Sequence, residues 1–177
     1  MTETLANGLV NFFTGAFSDS FSYKNELIIF LISILPILEL RGGLIAAKLL
    51  GVRLIPAMVI CYVGNILPIP FILLFIKRIF AFMKRHGILV KLVEAIENRG
   101  AKKADEVKES KWEKWGLLAF VAIPLPGTGG WTGALIASLL NMKVKDSFPV
   151  IMIGVAIAGI IMAVFSYGLL GILGVGA

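Results

Sequence analysis

One cysteine and one histidine occur among the 177 residues, so several kinds of chemistry lack their raw material. Cys61 alone cannot build a disulfide framework, and it lies inside an apolar stretch. His86 sits in a Lys/Arg cluster, where a solvated or headgroup-facing histidine is expected. No Ser/His/Asp set, metal-ligand cluster or phosphate loop accompanies either residue. The expected protein is therefore not an enzyme, and no metal or cofactor is expected. A positive n-region followed by a small-residue cleavage site is also missing, so no removable signal peptide is expected.

Charge is scarce as well, at 16% of residues against 58% hydrophobic, with a mean hydropathy of +0.93. What the chain has instead is long apolar runs: Leu27–Leu50, Leu54–Ile76, Gly116–Leu140 and Phe148–Leu173. Each approaches or exceeds the roughly 20 residues needed to cross about 30 Å of hydrocarbon. Soluble domains rarely have this composition, and the chain reads as one membrane domain.

The net charge of +6 is concentrated. Between Lys77 and Lys114 lie eleven of the seventeen Lys/Arg but only six of the eleven Asp/Glu. A basic loop beside a membrane accounts for this without nucleic acid, and it places the loop in the cytoplasm, in contact with anionic lipid. Ile79, Phe80, Phe82, Met83, Leu89, Leu92, Val93 and Ile96 repeat there at helical spacing. Lys102 and Glu106 form an i,i+4 pair, and Trp112 and Trp115 are headgroup anchors. Upstream, Leu5, Leu9, Phe12, Phe13, Ala16, Phe17 and Phe21 predict an amphipathic helix lying on the interface over residues 1–24.

Two of the apolar runs are interrupted at their centres. The first contains Pro36 and Glu39-Leu40-Arg41-Gly42-Gly43; the second contains Pro124-Leu125-Pro126-Gly127-Thr128-Gly129-Gly130-Trp131-Thr132-Gly133. Gly43 to Arg53 also overlays Gly133 to Lys143, with Gly, Ala, Leu and Leu matched in place, which points to an internal duplication. A straight span through Leu27–Leu50 is marginal. About −7 kcal/mol from its aliphatic side chains is nearly cancelled by Glu and Arg at roughly +3 each. A broken span is better: Leu27–Pro36 as helix is about 15 Å, half a bilayer. Pro36 stops it, Gly42-Gly43 permits the turn, and a second half-helix returns from Leu44. Gly116–Ile123 and Trp131–Leu140 repeat the design. Each hairpin followed by one crossing makes an odd number of crossings, so the two copies are expected to be inverted.

Helix starts at Gly42-Gly43 and Gly129-Gly130 would then offer two positively polarised ends to one volume, with Arg41 adding a full charge. An anionic group suits such a place, and Thr128, Thr132 and the Trp131 indole can add hydrogen bonds. Glu39, the only carboxylate inside an apolar run, can carry a proton or simply pair with Arg41. Asn65 either bonds the hairpin turn or substrate, or bridges helices. Gly154, Ala158, Gly159 and Ala163 form a stripe for close helix packing.

At Glu39-Leu40-Arg41-Gly42-Gly43 and at Ala122-Ile123-Pro124-Leu125-Pro126-Gly127-Thr128-Gly129-Gly130-Trp131-Thr132-Gly133 the chain resembles the small multidrug export protein family. That family is itself similar to the wider DedA/VTT superfamily of membrane proteins. The resemblance implies opposed re-entrant hairpins, with Glu39 and Arg41 at the position of functional charges. DedA relatives are associated with moving undecaprenyl phosphate and other lipids, often with proton dependence. They usually carry an arginine in the second hairpin motif, where this chain has Thr128 and Thr132.

The expected fold is all-α integral membrane: an inverted repeat of a re-entrant helical hairpin plus a transmembrane helix, with interfacial amphipathic helices. Residues 1–24 are the interfacial helix, 25–76 the first repeat, 77–115 the cytoplasmic helical linker and 116–177 the second repeat. The expected function is proton-coupled transport, in the cell membrane, of an anionic amphiphile such as a polyprenyl-phosphate-type lipid or a small organic anion. Arg41, Gly42, Gly43, Asn65, Thr128, Gly129, Gly130, Trp131 and Thr132 are the binding candidates, and Glu39 the proton-coupling one. A cationic-drug exporter using Glu39 and a non-transporting scaffold are the alternatives. Membrane lipids and the substrate are the expected partners, a homodimer is compatible, and nucleic acid is not expected.

Overall fold

Prolines and strained turns divide the apolar runs into helices. The computed structural model of the protein describes residues 2–16, 23–87, 112–125 and 127–169, with isolated positions between 90 and 98. Every regular element among the described residues is helical. They are α1 (Thr2–Ala16), α2 (Lys24–Ile34), α3 (Glu39–Leu49), α4 (Leu54–Ile66), α5 (Ile69–Arg85), α6 (Trp112–Ala122), α7 (Gly130–Leu139) and α8 (Val144–Ala163). A π-helical stretch, Val164–Leu169, prolongs α8.

α2 stops at Ile34 because Leu35, which precedes a proline, is extended (ψ 134°). The chain reverses over Leu35–Leu38, and Glu39 opens α3 from the left-handed region (φ 52°). The two helices run antiparallel: Asn25 Nδ2 donates to the Leu50 carbonyl at 3.2 Å, and Ser33 lies against Gly43. The turn expected at Gly42-Gly43 is therefore elsewhere, ending at Leu38, four residues before Gly42, and both glycines are inside α3. Their role is close approach. A Cβ on Gly43 would collide with Ser33 Oγ and with Cys61 Sγ, and one on Gly42 with Leu38. Pro36 had already broken the helix, so the glycines were free to serve packing.

α6 and α7 form the second hairpin, with Gly133 against Val121. Both hairpins end alike. Gly51 and Asn141 take positive φ (70° and 57°), Val52 N bonds the Ala47 carbonyl at 2.9 Å, and Met142 N bonds that of Ala137 at 3.0 Å. Gly51 N to Lys48 O and Asn141 N to Ser138 O, both 3.2 Å, complete two identical Schellman caps. Arg53 and Lys143 then adopt the same extended conformation and start the longest apolar helices. The order hairpin then long helix thus occurs twice, as the overlay of Gly43–Arg53 on Gly133–Lys143 anticipates.

Among the described residues two stretches are long and apolar enough to cross a membrane: Leu54–Ile76, with mean hydropathy 2.3, and Val144–Gly168, with 2.6. The first runs through α4 into α5 across Leu67 and Pro68, which keep helical dihedrals. Their outward faces are greasy. Ile55, Val59, Val63, Leu67, Phe71 and Phe75 are exposed at steps of four, as are Ile153, Ile157, Ile160 and Val164 at steps of three and four. Small or polar residues face inward instead: Ala57, Cys61, Gly64 and Asn65 on α4, and Gly154, Ala158 and Gly159 on α8. Gly154 meets Val121, and Gly159 meets Leu40, so the expected small-residue stripe is a packing surface. This inside-out polarity is that of a helix bathed in lipid.

α4 and α8 run antiparallel. Tyr62 donates to the Met152 carbonyl at 3.3 Å, near the middle of both, while Tyr167 donates to Val52 at 2.7 Å, late on one and early on the other. At the opposite end, Lys114 and Asp146 pair at 2.9 Å and tie the starts of α6 and α8 together.

α1 packs on α2 and α3 and is described to Ala16; residues 17–22 of the expected 1–24 helix lie outside the described residues. The expected linker does not begin as a separate element at Lys77, because α5 continues unbroken to Arg85. Its other end, Trp112–Trp115, belongs to α6. The expected Lys102–Glu106 pair and residues 170–177 lie outside the described residues.

Gly43→Val tests the first hairpin. Its branched side chain must displace Ser33 and Cys61, and overpacking of this kind costs about 1–3 kcal/mol. The expected result is an unfolding free energy in mixed micelles lowered by that amount; an unchanged value would mean the two helices do not pack this closely.

Candidate functional site

Breaking a helix at membrane depth leaves carbonyls at one end and N–H groups at the next start without partners. The two hairpin turns meet tip to tip and satisfy each other. Glu39, on the first tip, accepts from Gly130 N at 3.0 Å and Trp131 N at 3.2 Å, the opening amides of α7. Asn65 Nδ2, from α4, donates to the same carboxylate at 3.4 Å. Arg41, also in the first turn of α3, donates to the carbonyls of Leu125 and Ile123 and to Thr128 Oγ1, the last at 2.8 Å. In return, the Trp131 indole N–H donates to the Ile34 carbonyl at 3.1 Å, at the frayed end of α2. Thr128 Oγ1 folds its own turn by bonding Ile123 O at 2.7 Å and Leu125 O at 2.8 Å.

The positively polarised start of α7 is therefore an anion site, and its anion is Glu39. Gly129 makes the approach possible: at φ 143° it suits only glycine, and a Cβ there would overlap the Glu39 carboxylate. Glu39 reaches this position from a left-handed backbone, which costs about 1–2 kcal/mol for a residue other than glycine. Hydrogen bonds to a charged acceptor at about 1.5–3 kcal/mol each offset that strain. Glu39 and Arg41 both hydrogen-bond across to the opposite tip, while their opposite charges attract each other.

Glu39, Arg41, Asn65, Gly129 and Gly130 surround one small cavity of about 10 Å³, closed by Leu40, Val121, Val155 and Ala158. That is room for about a single water molecule. Asn65 is 1% exposed, and its Oδ1, which faces Gly130, has no hydrogen-bond partner. Thr128 and Trp131 stand one bond away from this cluster. Thr132 is half-buried in the first turn of α7, and Gly42 and Gly43 face Leu38 and Ser33 rather than the cavity. The carbonyls of Ile34, Ile123 and Leu125 are site atoms that the residue pattern alone did not single out; the prolines at 36, 124 and 126 were their signal, since the residue before a proline leaves the helical conformation and ends the ladder. Among the described residues no three of His, Cys, Asp and Glu come together as metal ligands.

Outside the cluster, an apolar groove of about 300 Å³ opens between α3, α4 and α8. Leu40 lines both the groove and the charged cavity.

Replacing the carboxylate measures the cap. Glu39→Ala strands two buried N–H groups and should cost about 2–3 kcal/mol in micellar unfolding. Glu39→Gln keeps one acceptor and should lose less. Equal losses would show that shape, not hydrogen bonding, holds the tips together.

A family model described as "putative small multi-drug export protein" matches residues 39–161, from the Glu39 tip to near the end of α8. No curated protein and no solved structure matches the chain.

Proposed function

The chain belongs to the family of small multi-drug export proteins, and from that premise we propose that it is a multi-pass membrane transporter, not an enzyme, that exports amphiphilic small molecules through the meeting point of its hairpin tips. The carrying observation is the Glu39 carboxylate set on the start of α7, ninety-odd residues away in the chain. Among the described residues it is the one carboxylate buried in the apolar core, and its hydrogen-bond donors are all neutral. A cationic amphiphile can pair with it, replacing weak donors by a full charge.

The topology we infer is an inverted repeat. Each hairpin enters as a re-entrant pair, helices of 10 or 11 residues being about 15 Å long, half a bilayer. Antiparallel α4 and α8 and their matched Schellman caps support it. So does charge: Lys77, Arg78, Lys84 and Arg85 on α5 lie toward the same end as Lys114, Lys143 and Lys145, which we take as cytoplasmic. The plasma or inner cell membrane is the proposed location.

Opening such a site means separating the tips. Protonation of Glu39 would remove the charge that α7 holds, and substrate would replace the cap, so proton coupling through Glu39 fits this geometry. One observation favours a second reading, export of an anionic amphiphile. The Arg41 guanidinium is held by neutral carbonyls and a hydroxyl, and is equally open to a competing anion.

Proteoliposomes decide between them. With a cationic dye, Glu39→Gln should slow export about tenfold or more, the equivalent of about 1.4 kcal/mol of lost interaction, while Arg41→Gln changes it less. Dependence on Arg41 and an anionic dye would select the second reading. No dye transport of either sign by folded protein would remove transport altogether. Cysteines placed near each terminus and at Lys145 should label from outside, outside and inside respectively, and both termini labelling from inside would end the inverted topology.

A further inference from the structure

We propose that the groove between α3, α4 and α8 receives the hydrocarbon tail of the exported amphiphile, entering sideways from the lipid while its charged head reaches the Glu39/Arg41 cluster past Leu40. The inference rests on the export reading and names the other half of its binding site. The groove measures about 300 Å³, at the small end of ligand pockets, enough for a chain or ring and not for a whole drug-sized molecule. Its walls are Leu44, Met58, Val59, Tyr62, Ala156 and Ile160, and the Tyr62 hydroxyl is turned away onto the Met152 carbonyl. Nothing polar is offered to an occupant.

Two observations fix the occupant as an amphiphile's tail. The groove opens outward: Val59 (59% exposed) and Ile160 (58% exposed) belong to the greasy stripes of the two spanning stretches, so its mouth meets hydrocarbon. Its floor is Leu40, which sits between Glu39 and Arg41 in the chain and also walls the charged cavity. One side chain thus separates an apolar slot from two opposite charges. A bare hydrocarbon gains only the slot, and a small ion only the charges. A molecule with a charged head and an apolar tail fits both at once when Leu40 changes rotamer. Ala156 and Gly159 create the depression, since larger residues at either place would fill it.

The test uses the full chain in phosphatidylcholine nanodiscs and an alkylammonium probe with a diazirine in its tail. After photolysis, label should concentrate on Met58, Tyr62 or Ile160 and fall when excess alkylammonium without the diazirine is added. Ala156→Phe, which fills the slot, should cut that label about tenfold, as expected for losing contact worth about two methylenes. Ile160→Trp at the mouth provides the same check should the first variant fold poorly. Label spread evenly over Phe71, Ile153 and the groove would overturn the proposal. So would equal, uncompeted groove labelling by a diazirine phosphatidylcholine, which marks a slot for bulk lipid. Dye export with an unlabelled groove defeats the tail site alone; a labelled, competed groove without export defeats the transport reading alone.

Discussion

A carboxylate capping a helix that begins in the middle of an apolar protein is the constraint on which the rest depends. Glu39 supplies α7 with the acceptor that its first amides lack, and only a tip held at hydrogen-bond distance can do so. Once that distance is fixed, Arg41 falls within reach of the Ile123 and Leu125 carbonyls, and the Trp131 indole within reach of Ile34. The lock is reciprocal because each break creates both kinds of orphan. Where water is excluded, an unpartnered backbone group costs several kcal/mol, so neither hairpin can end in the interior without the other.

Much of this was legible because the signals are local. Pro36 and Pro124 mark the breaks, the Gly51 and Asn141 caps recur at overlaid positions, and the polar residues of both tips are conspicuous against Leu and Ile. The position of the first turn was not legible, because a Gly-Gly pair reads equally as a bend or as a close contact. Only the neighbours Ser33 and Cys61, which arrive from other parts of the chain, decide for contact. The left-handed Glu39 was hidden for the same reason: its strain is tolerated through partners that lie 26 and 91 or 92 residues away. The end of the apolar run also suggested a boundary at Lys77, where charge begins; α5 runs through that point to Arg85, since lysines and arginines are compatible with helix.

The anion site illustrates how a correct physical rule can be answered from within. A helix start attracts negative charge, and the expected occupant was a substrate group. The protein holds a carboxylate there instead, tethered at high effective concentration by the turn that precedes it. An external anion at the start of α7 would have to displace a partner that never diffuses away, whereas a cation, once the tips part, pairs with that partner instead of competing with it. This asymmetry, rather than the count of positive groups around the tips, is what moves the balance of readings toward a cationic head.

It also explains why the polar cluster and the apolar groove should be considered together. The cluster is too small to hold a molecule while the tips are joined, and the groove is too featureless to select one. Selection in such an arrangement comes from the cost of parting the tips. The Glu39 carboxylate, the two opening amides of α7, the Trp131 indole with the Ile34 carbonyl, and the Arg41 guanidinium must all find replacements or water, and an occupant that brings only hydrocarbon replaces none of them. A head group that re-pairs Glu39 recovers part of the cost, and a tail already seated behind Leu40 holds that head within reach. Breadth toward apolar structure together with strictness toward charge is therefore what this geometry should produce, and it is the pattern that export of varied amphiphiles requires.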